Sequence, residues 1–363
     1  MAAVVRTQDR RRAVVYGLQT LAVAACYYAA GRLGLLRQLA VGDAVFTPIW
    51  PPTGVALAAL FVFGLRCWPG IALGALLVVL SLTSLRPSAL GNVAGNTVAP
   101  VCAYLMLRRV GFRTNLSRLR DGVALVFLGA LAAMLISSTV GVGLLILTGK
   151  LTADGFWPVW LAWWVGDAMG VLLVTPALLL LSEAHHAPDP ARWKEALVLV
   201  AAACAIVPLA TYSRLSLLYL IYPLLIWAAL RFQLAGSVLC ALFASVLATL
   251  AATEGTGPFS RLTRVEVMIK LQVFNGSMAL TALLLSAVII EQLNTRRSVE
   301  RACQELVEVL EHLTAGEAAP PGRTPTGEAA PPGRAPADED GLPRDRDGPP
   351  EAGGGPRAGP GSP

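Results

Sequence analysis

FWPVWLAWWVGDAMGVLLVTP, residues 156–176, has the length of a membrane crossing and carries a single ionisable side chain, Asp167. About 20 apolar residues in a helix cover the ~30 Å of hydrocarbon in a bilayer. A carboxyl at mid-membrane depth costs roughly 2.5–3.5 kcal/mol on insertion scales, so such a residue faces the bundle interior and marks function. Asp167 is therefore the leading single-residue candidate. Its carboxyl is open to three readings: protonated, paired with an arginine or asparagine, or neutral in a structural hydrogen bond. Trp157, Trp160, Trp163 and Trp164 supply aromatic surface around it. Trp157 and Trp160 read more simply as interfacial anchors, which leaves Trp163 and Trp164 as ligand candidates. Gly166, Gly170 and Pro176 are assigned to helix packing and turns.

Similar apolar segments recur between residues 13 and 292, and the whole chain is 55% hydrophobic and 14% charged, with a mean hydropathy of +0.61. Soluble domains carry roughly 25% charged residues. The fold class is thus an all-α, polytopic membrane bundle. Spans are expected at 13–33, 46–64, 67–84, 89–107, 121–148, 157–181, 196–212, 215–231, 234–252 and 270–292, or about eight to ten crossings. Pro208, Arg214, Pro223 and Arg231 interrupt the least certain stretch. The first span lacks a small-residue cleavage site, so no signal peptide is expected.

Arginine and lysine favour alternate loops: Arg6, Arg10, Arg11 and Arg12; Arg108, Arg109, Arg113, Arg118 and Arg120; Arg192 and Lys194; Arg296 and Arg297. The opposite loops hold Arg32, Arg37, Arg86, Lys150, Arg214, Arg261 and Arg264, so the bias is incomplete. By the positive-inside rule both termini are expected in the cytoplasm and the protein in the inner (plasma) membrane. The net charge of +6 is then a matter of topology, with no nucleic-acid partner.

Trp50 stands between Pro48 and the pair Pro51 and Pro52 where the second span begins. Proline in a first turn lacks only an N–H that would have no intrahelical partner, so this is a helix start with an aromatic anchor. A bent start of this kind also suits the wall of a pocket. Gly54 is assigned to packing. In GLRCWPG, residues 64–70, Gly64 ends one helix and Trp68, Pro69 and Gly70 begin the next, with Arg66 as an anchor. In LGNVAGNTVAP, residues 90–100, Gly91 and Gly95 permit close helix approach, while Asn92 and Asn96 stack one turn apart. The two amides read either as interhelical hydrogen bonds or as the polar lining of a cavity. Glu266 and Lys270 have salt-bridge spacing. His185 and His186 read as a surface loop.

The six cysteines show no paired spacing, and no metal site, cofactor motif, phosphate loop, HExxH or GxSxG is found. No enzymatic activity is expected. Residues 1–12 form a basic N-terminus and 13–292 the membrane domain. In residues 293–313 Val299, Ala302, Leu306, Val309 and Leu313 follow 3–4 spacing, which suits a cytoplasmic amphipathic or coiled-coil helix and a possible homodimer. Residues 314–363 are rich in Pro, Gly and Ala, repeat GEAAPPGR at 316–323 and 327–334, and are expected to be disordered.

Taken in order, FTPIWPPTGVALAAL and GLRCWPGIALG (46–74), GNVAGNT (91–97), LSRLRD (116–121) and WWVGDAMGVLLVTP (163–176) resemble the MASE1 family of bacterial membrane-associated sensor domains, over roughly residues 15–295. The resemblance implies that the membrane part receives a signal and passes it through the last span. In that family output modules such as histidine kinases, diguanylate cyclases, phosphodiesterases or PAS domains usually follow. Here only a short helix and tail are expected, so the implied kinase or cyclase would be a partner in trans, in a two-component or cyclic-di-GMP context. The expected function is sensing of a small or lipid-like ligand. The rival is a transporter or permease whose broken helices line a pathway, although no inverted repeat is evident; a remnant that has lost its output module is a third reading.

Overall fold

A computed structural model describes residues 2–36, 39–41, 44–183 and 192–317. In chain order it contains α1 (Ala2–Leu35), a short antiparallel hairpin of β1 (Leu39–Val41) and β2 (Ala44–Phe46), α2 (Pro51–Phe63), α3 (Trp68–Leu82) and α4 (Pro87–Arg109). There follow α5 (Leu119–Ala124), α6 (Ala133–Leu147), α7 (Phe156–Met169), α8 (Thr175–Glu183), α9 (Trp193–Tyr212), α10 (Ile221–Thr253) and α11 (Arg264–Glu317). Eight helical stretches among the described residues are long and apolar enough to cross a membrane. The all-α membrane bundle is therefore observed. Two compact units divide the chain, Met1–Gln304 and Glu305–Pro363, and the described part of the second is the end of α11.

Leu57, Leu60, Ile71, Leu107, Leu125, Met134 and Leu173 lie fully inside the first unit. Its outer surface carries Leu18, Leu21, Phe127, Leu161, Leu181, Val200, Leu239, Ile269 and Val273. A surface so apolar is what lipid tails require, since they offer no hydrogen bonds and no reason to hide leucine.

Several boundaries differ from expectation. The second segment is a 13-residue helix starting at Pro51. Its predicted first residues, 46–50, are strand and extended chain, because Pro51 and Pro52 lack the N–H groups that would extend the helix backwards. α5 and α6 are joined by a π-helical stretch, Leu125–Ala132, and α7 and α8 by another, Gly170–Val174. One boundary falls where it was expected: the segments at 215–231 and 234–252 meet within α10 at a break at Gln233, where φ is 53° and ψ −135°. A Cβ placed on Gly236 would stand 2.7 Å from the Ala228 carbonyl oxygen, so the chain doubles back there. Eight residues of straight helix would instead separate the two by about 12 Å.

The expected Glu266–Lys270 ion pair is absent. The Glu266 carboxylate turns back to accept the Thr263 N–H at 2.7 Å and its hydroxyl at 2.8 Å, a capping box at the start of α11. The Lys270 ammonium donates instead to the Pro258 carbonyl at 2.9 Å. α11 runs from the apolar segment into the charged one, and Val299, Leu306 and Val309 stand exposed along it. Residues 314–317, expected in the disordered tail, are the end of α11, while His185, His186 and residues 318–363, with all but the first two residues of the GEAAPPGR repeats, lie outside the described residues.

Candidate functional site

The start of α2 lies directly against the α7–α8 stretch, backbone to backbone. The Trp50 N–H donates to the Gly166 carbonyl at 2.9 Å, and the Thr175 hydroxyl to the Gly54 carbonyl at 3.2 Å. A Cβ on Gly170 would meet the Trp50 carbonyl oxygen at 2.0 Å, and one on Gly54 the Gly170 carbonyl oxygen at 2.2 Å. No side chain fits between these segments. Glycine is thus a condition of the approach, and the approach brings Thr53 to Asp167.

Asp167 sits near the midpoint of the helical stretch Ala153–Glu183 and is 1% exposed. The Thr53 hydroxyl donates to its Oδ1 at 2.7 Å, and the Ser137 hydroxyl from α6 donates to Oδ2. Both hydroxyls are buried, so the carboxyl ties together three helices, α2, α6 and α7. The Ser137 hydroxyl is also 3.1 Å from the Met134 carbonyl oxygen. A hydroxyl has one proton and two acceptor lone pairs. Ser137 therefore suits either state of Asp167: it gives its proton to a carboxylate, or accepts one from a carboxylic acid while donating to Met134.

Aromatic rings close the surroundings. Trp163 interacts with the Asp167 carboxyl and lies over Gly141, where a Cβ would stand 2.8 Å from its ring. The fully buried Tyr27 lies close enough to both Trp50 and Asp167 to interact with them. Pro51 and Trp50 pack on Gly34, and Pro52 packs near Gly31. Trp50, Pro51, Pro52, Trp163 and Asp167 are thus brought together. Trp164 points elsewhere: its indole N–H donates to the Leu131 carbonyl at 2.8 Å, and its ring stacks on Trp160.

No interhelical hydrogen bond is seen for Asn92 and Asn96: the Asn96 amide donates to the Asn92 carbonyl oxygen at 3.0 Å and to its side-chain oxygen, within α4. Their glycines do the packing, with Gly91 against Leu144 and Gly95 against Val140, on the same helix as Ser137. Gly64 has φ 79° and ends α2; Pro69 begins α3; Gly70 approaches the Thr20 carbonyl; Pro176 is buried in α8. Trp68 is 51% exposed and makes no site.

Sequence reasoning passed over Thr53, Ser137 and Tyr27. A hydroxyl in an apolar run, as in LISSTVG, was the available signal for Ser137. It also passed over two buried polar groups. Asn275 of α11 is wholly buried with neither amide atom partnered among the described residues, and Asp121 is 1% exposed with one oxygen likewise unpartnered. No group of three or more His, Cys, Asp or Glu side chains suited to a metal occurs among the described residues.

No curated protein and no solved structure matches the chain. The MASE1 family model matches residues 19–293, a stretch that contains α2, Ser137, Asp167 and all of the contacts between them. A multi-pass membrane protein with this match over most of its length has one assignment: the chain belongs to the MASE1 family of membrane-associated sensor domains.

Proposed function

We propose that the chain is a non-catalytic sensor in which the centre around Asp167 responds to a small or lipid-like ligand, and that the response leaves through α11 to a separate signalling protein such as a kinase or cyclase. The observation that carries this reading is the carboxyl shared by three helices, bonded to Thr53 and Ser137 and buried among tryptophan and tyrosine rings. A ligand that binds one arrangement of these helices more tightly than another shifts their populations by its differential affinity. A group that competes for the carboxyl or its hydroxyl partners has that differential affinity built in.

Two contacts support a route to the last helix. The Met169 methyl, two residues beyond Asp167, lies 3.8 Å from the position of a Cβ on Gly276 of α11. At the other end of the α5–α6 stretch, which carries Ser137, the Leu119 N–H donates to the Glu291 carboxylate of α11 at 2.9 Å. In the orientation this reading adopts, both termini face the cytoplasm of a bacterial inner membrane, and residues 293–313 pair with a second copy.

The test is Asp167→Asn in the full-length chain, with output of the partner kinase or cyclase as readout. An amide keeps the shape and one acceptor but cannot ionise, so output is expected to lock in one state while expression and thermal unfolding stay near wild type. Wild-type output would sink the reading. Ligand-specific flux in proteoliposomes would favour the transport alternative, whereas binding without flux favours sensing.

A further inference from the structure

Where α11 changes from apolar to charged, it meets the start of α5 and leaves a groove of about 480 Å³ lined by Leu119, Val288, Glu291, Gln292, Thr295 and Arg296. We propose that this groove binds the headgroup of an anionic phospholipid, with Arg296 and Arg118 as its cationic contacts and Leu119 and Val288 beneath the first carbons of its chains.

The lining divides as such a lipid does. Leu119 and Val288 are apolar; Gln292, Thr295 and Arg296 follow along α11 in the direction in which the helix leaves the hydrocarbon. The lining itself holds one cation, Arg296, and one anion, Glu291, whose carboxylate accepts the Leu119 N–H; Arg118, the residue before Leu119, supplies a second cation beside the groove and makes the balance positive. Arg118, immediately before Leu119, and Arg296 are exposed, and neither guanidinium has a hydrogen-bond or ion-pair partner among the described residues. Arg120, by contrast, is committed to the Val110 carbonyl at 3.0 Å.

Basic pockets between membrane helices recognise phospholipid headgroups, and each arginine or lysine near an anionic surface contributes about 1 kcal/mol. Here the consequence goes beyond the Asp167 centre. An anionic lipid in this groove would bridge α5 and α11 beside the Glu291–Leu119 hydrogen bond, so membrane composition would bias the helix that carries the output.

The experiment is lipid titration of the detergent-solubilised full-length protein, read by native mass spectrometry with phosphatidylglycerol, phosphatidylcholine and glycerol 3-phosphate as probes. Wild type is expected to prefer phosphatidylglycerol. Arg118→Gln and Arg296→Gln should each weaken that binding roughly five-fold, and the double variant about 25-fold, with phosphatidylcholine binding and thermal unfolding unchanged. Arg86→Gln, at the far end of α4, should bind as wild type, whereas Val288→Trp should fill the groove and weaken phosphatidylglycerol even with both arginines present. Retention of wild-type affinity by the double variant would overturn the proposal. So would glycerol 3-phosphate binding as tightly as the lipid, which would make this a site for free phosphate esters.

Discussion

At the scale of single residues, the Asp167 carboxyl and its two hydroxyl partners form one satisfied unit. Asp167→Leu should be more damaging than Asp167→Asn, because it removes the acceptor of the buried Thr53 hydroxyl at a cost of about 1–3 kcal/mol, while the Ser137 hydroxyl falls back on the Met134 carbonyl. Thermal unfolding in detergent would show the difference, and equal melting of the two variants would refute this account of the unit. Gly170→Ala adds only a methyl, yet places it 2.0 Å from the Trp50 carbonyl oxygen, a backbone atom that cannot swing away. It should cost about 1–3 kcal/mol by overpacking, and Gly143→Ala, with open space around it, should cost far less.

At the scale of elements, the sharpest test is the reversal at Gln233. Its φ of 53° with ψ −135° is a conformation that side chains with a Cβ rarely hold. Gln233→Gly should therefore raise stability by about 1 kcal/mol, and Gln233→Val lower it by a similar amount, on chemical or thermal unfolding. The element boundaries also show what could be read from the chain. Each of the ten apolar segments expected from hydropathy contains helix, the second only from Pro51 onward, because lipid leaves the backbone no other way to satisfy its own hydrogen bonds. The start of the second segment was harder to locate than the joints around α9 and α10. Pro208 and Pro223 are accommodated in α9 and at the start of α10, and the two breaks fall after Tyr212 and at Gln233, in the gaps expected between 196–212, 215–231 and 234–252. The Glu266–Lys270 pairing failed for a related reason: two nearer partners, the Thr263 N–H and the Pro258 carbonyl, outcompeted a salt bridge worth only a few tenths of a kcal/mol.

At the scale of the whole molecule, α11 is the element through which the first unit would speak to anything else. Val299, Leu306 and Val309 are exposed at coiled-coil spacing, each more than half accessible. If a second copy covers them, Leu306→Asp in full-length protein should shift the population from dimer to monomer in size-exclusion light scattering without changing the melting of the membrane domain. A wild-type protein that is monomeric at all concentrations would remove the homodimer from the proposed mechanism.

Sequence by itself determined that the chain lives in a membrane, roughly where its helices lie, and that Asp167 is the ionisable group to examine first, since hydropathy and the cost of a buried charge are properties of local composition. The order of WPPTG, GNVAGNT and WWVGD was likewise sufficient to place the family. Only the tertiary structure decided what the carboxyl bonds. Thr53 is 114 residues away from it and Ser137 is 30, and neither hydroxyl differs in the sequence from others that merely bond their own helix. Asn92 and Asn96 make the same point in reverse: conspicuous amides in a span, they bond to one another within one turn, and the partners of Asp167 are two plain hydroxyls. Glycine at 54, 166 and 170 is what converts the one kind of information into the other, because it lets two backbones touch and so sets which distant side chains meet.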